Sequence, residues 1–192
     1  MGQRRPCAWA QKSPQLTSVR NKLQLYIGMA VANSTDRLAI AASEAVWRRL
    51  DSSGPSAVGA VSEVWRVRHV QTGKYAALKI AMGGHVAERA LAREAILLAR
   101  VRRRWGPALL DVGPGFLVLD WVEGAPLDSL ACDADDRERL ATVIAHAVGR
   151  ALEELHQAGV HHGDVKPENV LLARSPPTCD AASDRGATLV DL

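Results

Sequence analysis

Apolar positions along this chain follow two rhythms, one of period two and one of period 3.6, and they occupy different stretches. Val46 to Leu50 opens a strand-forming region, a small-residue loop follows from Asp51 to Ala60, and Val64, Trp65, Arg66, Val67 and Arg68 then alternate as a half-buried strand does. Gln71, Thr72, Gly73 and Lys74 supply turn chemistry between that strand and a second, Tyr75 to Ala81. In the second strand Ala77 and Lys79 share one face, and Leu78 and Ile80 share the other. From Val86 to Val101 the period changes. Ala87, Leu91, Glu94, Leu98 and Val101 fall at spacings of four and three, which places them on one side of a helix. Two more strands are expected at Leu109 to Val112 and Phe116 to Trp121, parted by Gly113, Pro114 and Gly115. Gly124, Ala125 and Pro126 break the chain. Arg137 to Ala158 then forms the strongest helical pattern, with a stripe of Leu140, Ile144, Ala147, Ala151 and Leu155 joined by Val143, Val148 and Leu152. Gly159 stands where a helix-ending glycine belongs. A short helical pattern also runs from Ser34 to Ala45.

One position in these patterns carries chemistry. Glu94 lies inside the apolar stripe of its helix, and a carboxylate on a buried face is costly unless a cation meets it. The helix therefore demands a basic partner from elsewhere in the chain.

Composition narrows the class. The 192 residues are enough for about one domain, and a hydrophobic fraction of 47% with 23% charged residues is globular. Aromatic residues make up only 4%, so Ala, Leu and Val must fill the core. The net charge of +3 is too small to point to nucleic acid. Arg100, Arg102, Arg103 and Arg104 read as a solvated helix end, where cations are favourable and no aromatic interleaving offers base stacking. Cys7, Cys132 and Cys179 are odd in number and far apart, as expected of free thiols in a reducing compartment. No stretch has the length of a membrane span. A basic start followed by Leu25 to Ala32 has some features of a targeting signal, but the apolar run is short, and residues 1–45 are read as an N-terminal extension.

The most informative segment is His162, Gly163, Asp164, Val165, Lys166, Pro167, Glu168, Asn169, Val170, Leu171, Leu172. It resembles the catalytic loop of the eukaryotic-like serine/threonine protein kinases, H-x-D-x-K-P-x-N, including the short apolar strand that follows. The resemblance implies that Asp164 accepts the proton of a substrate hydroxyl, Lys166 meets the transferring phosphate and Asn169 is a metal ligand. Ala77, Leu78 and Lys79 resemble the family's lysine strand, so Lys79 is expected on the nucleotide phosphates. Glu94 becomes its carboxylate partner, and the competitor Glu88 is expected in solvent. Thr188 to Leu192 resembles the strand leading into D-F-G, with Asp191 as the metal-binding aspartate and Leu192 in place of Phe.

Similarity further implies an adenine pocket walled by Val64, Ala77 and Leu171, with Leu119 at the gatekeeper position and Asp120, Trp121 and Val122 as the hinge. The glycine-rich loop matches least well: Ala57, Gly59 and Ser62 stand where the family has three glycines. Glycine is favoured there for close backbone approach to phosphate and for unusual dihedrals. Gly163 replaces a family arginine that grips a phosphorylated activation loop, so that mode of control is not expected. The stretch between Leu172 and Ala187 extends a turn between two short strands and reads as an extruded loop.

The resulting expectation is an α+β, bilobal, kinase-like fold. Residues 46–122 form the small lobe with its hinge, and residues 123–192 form the first part of the helical lobe. Because the resemblance ends at Leu192, the chain reads as a fragment or truncated form, with the 137–158 stripe exposed and prone to self-association. Three functional readings stay open. One is a cytoplasmic protein kinase using ATP and Mg²⁺ on a protein hydroxyl, another is a non-catalytic nucleotide- or protein-binding module, and the third is a small-molecule phosphotransferase of the same fold.

Overall fold

The computed structural model describes residues 46–50, 54–101, 106–129, 134–172 and 187–191. The helix expected at residues 34–45, the extension before it, the three cysteines, Arg102 to Trp105, the stretch 173–186, Leu192 and the side chain of Leu140 lie outside these.

Six strands make the first sheet: β1 (Trp47–Arg49), β2 (Ala57–Val58), β3 (Ser62–His69), β4 (Tyr75–Ala81), β5 (Leu109–Gly113) and β6 (Phe116–Asp120). Their order is β1-β3-β4-β6-β5, with β2 also pairing β3, and all pairings are antiparallel. The period-two pattern of β4 is decided by what lies on each side. Ala76, Leu78 and Ile80 pack with Trp47, Val67, Phe116 and Val118 on one face. On the other, Ala77 and Ala81 pack against helix α1 (His85–Arg100), whose Leu91, Ala92, Ala95 and Leu98 meet Val112, Leu117 and Leu119. Leu78, Leu91 and Leu117 are wholly buried, each stabilising the fold by roughly 1.5–3 kcal/mol.

The second unit is built on helix α2 (Ala134–Gln157) and a three-stranded sheet of β7 (Ala125–Pro126), β8 (Val170–Leu172) and β9 (Ala187–Leu189), in that order. Helix α2 ends as its sequence requires. Val160 N–H donates to the Leu155 carbonyl at 2.9 Å and Gly159 N–H to that of His156 at 2.9 Å, the two bonds of a Schellman cap. Leu155 and Val160 then pack together with Ile144, Ala151, Val170, Leu172 and Leu189.

Four expectations are corrected. The loop assigned to residues 51–60 contains β2, held because Ala57 pairs with Val64. The break at residues 124–126 is β7, which pairs with β8. Gly124 is needed there, since a Cβ would lie 2.5 Å from the Leu172 carbonyl oxygen. Gly59 has no left-handed dihedral; its N–H donates to Ser62 O at 2.8 Å in a tight β2–β3 turn. Finally, the stripe of α2 is not left bare among the described residues. Ile144, Ala151 and Leu155 are buried, with Val148 and Leu152 partly so, because β8, β9 and Val101 cover them.

Candidate active site

Lys79 sits in the middle of β4, opposite Val64 on one side and Leu117 on the other. Its face looks toward α1, where the four-three spacing brings Glu94 between Leu91 and Leu98. The Lys79 Nζ donates to Glu94 Oε2 at 2.7 Å and to Asp191 Oδ1 at 2.7 Å. The side chains of Lys79 and Glu94 are 8% and 6% exposed, that of Asp191 47%. The cation that Glu94 demanded is thus Lys79. Burial works to neutralise the ammonium, but the carboxylates of Glu94 and Asp191 outweigh it and hold its pKa above the ordinary 10.5. For Glu94 burial dominates and pushes the carboxyl up, with Lys79 opposing. Its second oxygen, Oε1, is buried with no hydrogen-bond partner among the described residues, which accounts for that direction. A small cavity beside this carboxylate is lined by Leu98, Pro107, Leu155 and Leu189, together with Glu94 and Asp191.

Asp191 lies far from Lys79 in sequence, and the second sheet brings them together. Val170 pairs with Leu189 across β8 and β9, and one further bond, Val190 N–H to the Asn169 carbonyl at 3.0 Å, continues the ladder. Asp191 follows immediately in a left-handed conformation (φ 62°), a backbone state that costs a non-glycine residue energy and concentrates at functional sites.

Residues of the 162–172 segment converge on the same ladder. Asn169 Nδ2 donates to Asp164 O at 2.9 Å and to Asp164 Oδ2 at 3.1 Å. Lys166 Nζ lies 2.8 Å from the same Oδ2. Hydrogen bonding to Lys166 holds the Asp164 carboxyl below its usual range, so it is ionised and able to accept a proton. The same contact raises Lys166. His162 is buried beneath them, its Nε2 3.1 Å from the Val190 carbonyl and its Nδ1 3.4 Å from Asp164 N–H. Nε2 therefore carries the hydrogen and Nδ1 accepts, which is the neutral form; burial lowers the pKa in the same sense. Gly163 between them has φ 79°.

A divalent cation fits these donors. With Asn169 Nδ2 spent on Asp164, its amide oxygen is the remaining donor, and Asp191 keeps one carboxylate oxygen beside the one on Lys79. Both are the hard oxygens that Mg²⁺ prefers. Among the described residues no cluster of three or more His, Cys, Asp or Glu exists to hold a metal without substrate oxygens.

The expected adenine walls divide between the two sheets. Val64, Ala77 and Leu119 share the α1-side face of the first, Ala77 paired with Leu119. Leu171 is half-buried on β8, paired with Pro126 just beyond the hinge. None of the four lines the small cavity. Gly59 stands at the tip of the β2–β3 turn, among the exposed Val58 and Val61. Glu88 is not in solvent as expected: its side chain is 19% exposed and paired with His85 at 3.2 Å. The sequence reading also missed Arg66, whose guanidinium reaches Glu123 and the rings of Tyr75 and Trp121. No local pattern marks a contact across 57 positions.

A buried lysine–carboxylate pair thus lies under an antiparallel sheet and is joined by one strand ladder to an Asp–Lys–Asn loop. The protein kinase domain model matches residues 57–178, more than half of the chain, and the chain belongs to that family. It is 29% identical over 125 residues to the Rho-associated protein kinase let-502 of Caenorhabditis briggsae, covering 61% of this chain and 10% of that protein. To the serine/threonine-protein kinase AtPK1/AtPK6 of Arabidopsis thaliana it is 30% identical over 126 residues, covering 59% and 26%. The chain thus spans about a quarter or less of these relatives' lengths. The crystal structure of Rad53 1-466 in complex with AMP-PNP shares the fold, with a TM-score of 0.57 and 21% identity over 76% of this chain and 38% of that one.

Proposed function

We propose that this chain carries the nucleotide-binding and phosphoryl-transfer residues of a serine/threonine protein kinase, moving the γ-phosphate of ATP to a protein hydroxyl. The observation that carries this reading is the junction at Val190. Its N–H and C=O tie Asn169 and His162 to the strand that delivers Asp191 to Lys79. Lys79, held in position by Glu94, would present its ammonium to the nucleotide phosphates. Asn169 and Asp191 would hold Mg²⁺, which when bound would neutralise phosphate charge. Asp164 accepts the hydroxyl proton as the new oxygen–phosphorus bond forms and the bond to ADP breaks. Lys166 stands 2.8 Å from Asp164, within reach of the same phosphoryl group. A cytoplasmic setting belongs to this reading; among the described residues no helix is long and apolar enough to cross a membrane.

The test is transfer of label from γ-labelled ATP, with Mg²⁺, to casein or to the chain's own hydroxyls. Saturable Mg-ATP binding with transfer supports the proposal. Binding without transfer overturns it in favour of a nucleotide-binding module or a small-molecule phosphotransferase, and no binding leaves only the protein-binding module.

A further inference from the structure

Arg66 stands on β3 opposite Ala77, on the same face of the sheet as Val64 and Lys79. A charged side chain on that face, at the hinge end, needs a reason. Its guanidinium carbon lies 4.4 Å from the ring centroid of Tyr75, on the neighbouring strand, and 4.8 Å from that of Trp121, in the hinge. Its Nη2 donates to Glu123 Oε1 at 3.0 Å. One guanidinium thus holds two residues of the hinge, on either side of Val122, to two strands of the small lobe. Two ring contacts and an ion pair made by a single planar group also fix orientation, which a flexible ammonium would not.

We propose that Arg66 is a positioning residue for the nucleobase, clamping Trp121 and Glu123 against the sheet so that the backbone of the hinge faces the cleft at a set distance. The inference rests on the nucleotide-binding reading above. It assigns Arg66 no contact with phosphate or with the reacting atoms. Its effect should therefore fall on the base end of the ligand and on KM, with kcat little changed.

The experiment compares the full chain with Arg66→Leu and with Glu123→Gln, measuring Kd by calorimetry for Mg-ATP and, separately, for Mg-tripolyphosphate, which lacks the base. Arg66→Leu should weaken Mg-ATP about fivefold to tenfold, as expected for loss of half-exposed cation–π contacts, and leave tripolyphosphate within about twofold. Glu123→Gln should weaken Mg-ATP about twofold, in keeping with an exposed ion pair. The double variant should be no weaker than Arg66→Leu alone. Equal losses for both ligands would show general damage to the lobe and overturn the proposal, as would an unchanged Mg-ATP Kd. Should Arg66→Leu not fold, Arg66→Lys decides, since it keeps the charge and loses the planar group: weaker Mg-ATP binding with tripolyphosphate unchanged supports the clamp, and no change in either overturns it. Failure of the functional reading would appear in the unmodified chain, whereas failure of this inference appears only in the variants.

Discussion

Two lysine–carboxylate contacts of nearly equal length lie in opposite surroundings. Lys79 meets Glu94 at 2.7 Å with both side chains under 10% exposed, and Lys166 meets Asp164 at 2.8 Å with side chains 47% and 60% exposed. Distance alone would rank them together. In the first pair the surrounding Leu91, Leu98 and Leu117 exclude water, so Glu94 cannot be left without Lys79. In the second, water can replace either partner, and the contact adds little to stability. The buried pair therefore holds the site's architecture. The exposed pair is free to exchange its partner for another group, as the roles proposed for Asp164 and Lys166 require.

This contrast can be broken most forcefully at Lys79. Lys79→Met should abolish transfer and lower unfolding stability by about 3–5 kcal/mol, because Glu94 is then buried without a cation. Adding Glu94→Leu should restore most of the stability and none of the activity, read by urea unfolding beside the labelled-ATP assay. Equal stability of Lys79→Met and the unmodified chain would show that burial does not separate the two pairs. Asp164→Asn probes the exposed partner. Transfer should fall about 10²- to 10⁴-fold, with Mg-ATP binding and the unfolding midpoint nearly unchanged; a parallel loss of affinity would take the base role from Asp164.

A smaller effect is expected at His162, which shares the burial of the first pair and the loop of the second. Its pKa is lowered from 6.5, so the unfolded chain takes the proton more readily than the folded one. Its contribution is therefore whole above about pH 6.5 and drains away as the pH falls below that value. Unfolding midpoints at pH 7.5 and pH 5.0 should show a steeper acid loss in the unmodified chain than in His162→Asn, and equal slopes would rule out this coupling. Smallest of all, Lys166→Ala should leave the unfolding midpoint unmoved while slowing transfer. A marked drop in stability would put Lys166 in the same class as Lys79.

Much of this was legible along the chain because the signals were local. Strand β4 begins and ends where alternation suggested, and the stripe of α1 placed Glu94 on a buried face before any partner was in view. The glycine cap of α2 was equally plain, as was the segment 162–172, whose Lys166 and Asn169 both meet Asp164. What escaped notice depends on contacts distant in sequence. The two-residue strands β2 and β7 carry no period of their own and exist because Val64 and Leu172 lie opposite them. Glu88 looks like a solvent residue until the turn at Gly115 is placed beside its side chain. The role of Arg66 emerges only when the hinge folds back on β3. The covered stripe of α2 likewise depended on β8 and β9, whose shortness hid how much apolar surface they bring.

Asp191 reaches Lys79 only through the pairing of β8 with β9, in which Val170, Leu171 and Leu172 face Leu189, Thr188 and Ala187. A substitution that loosens those three pairs would act on the buried ammonium from a distance, without altering any side chain that touches it.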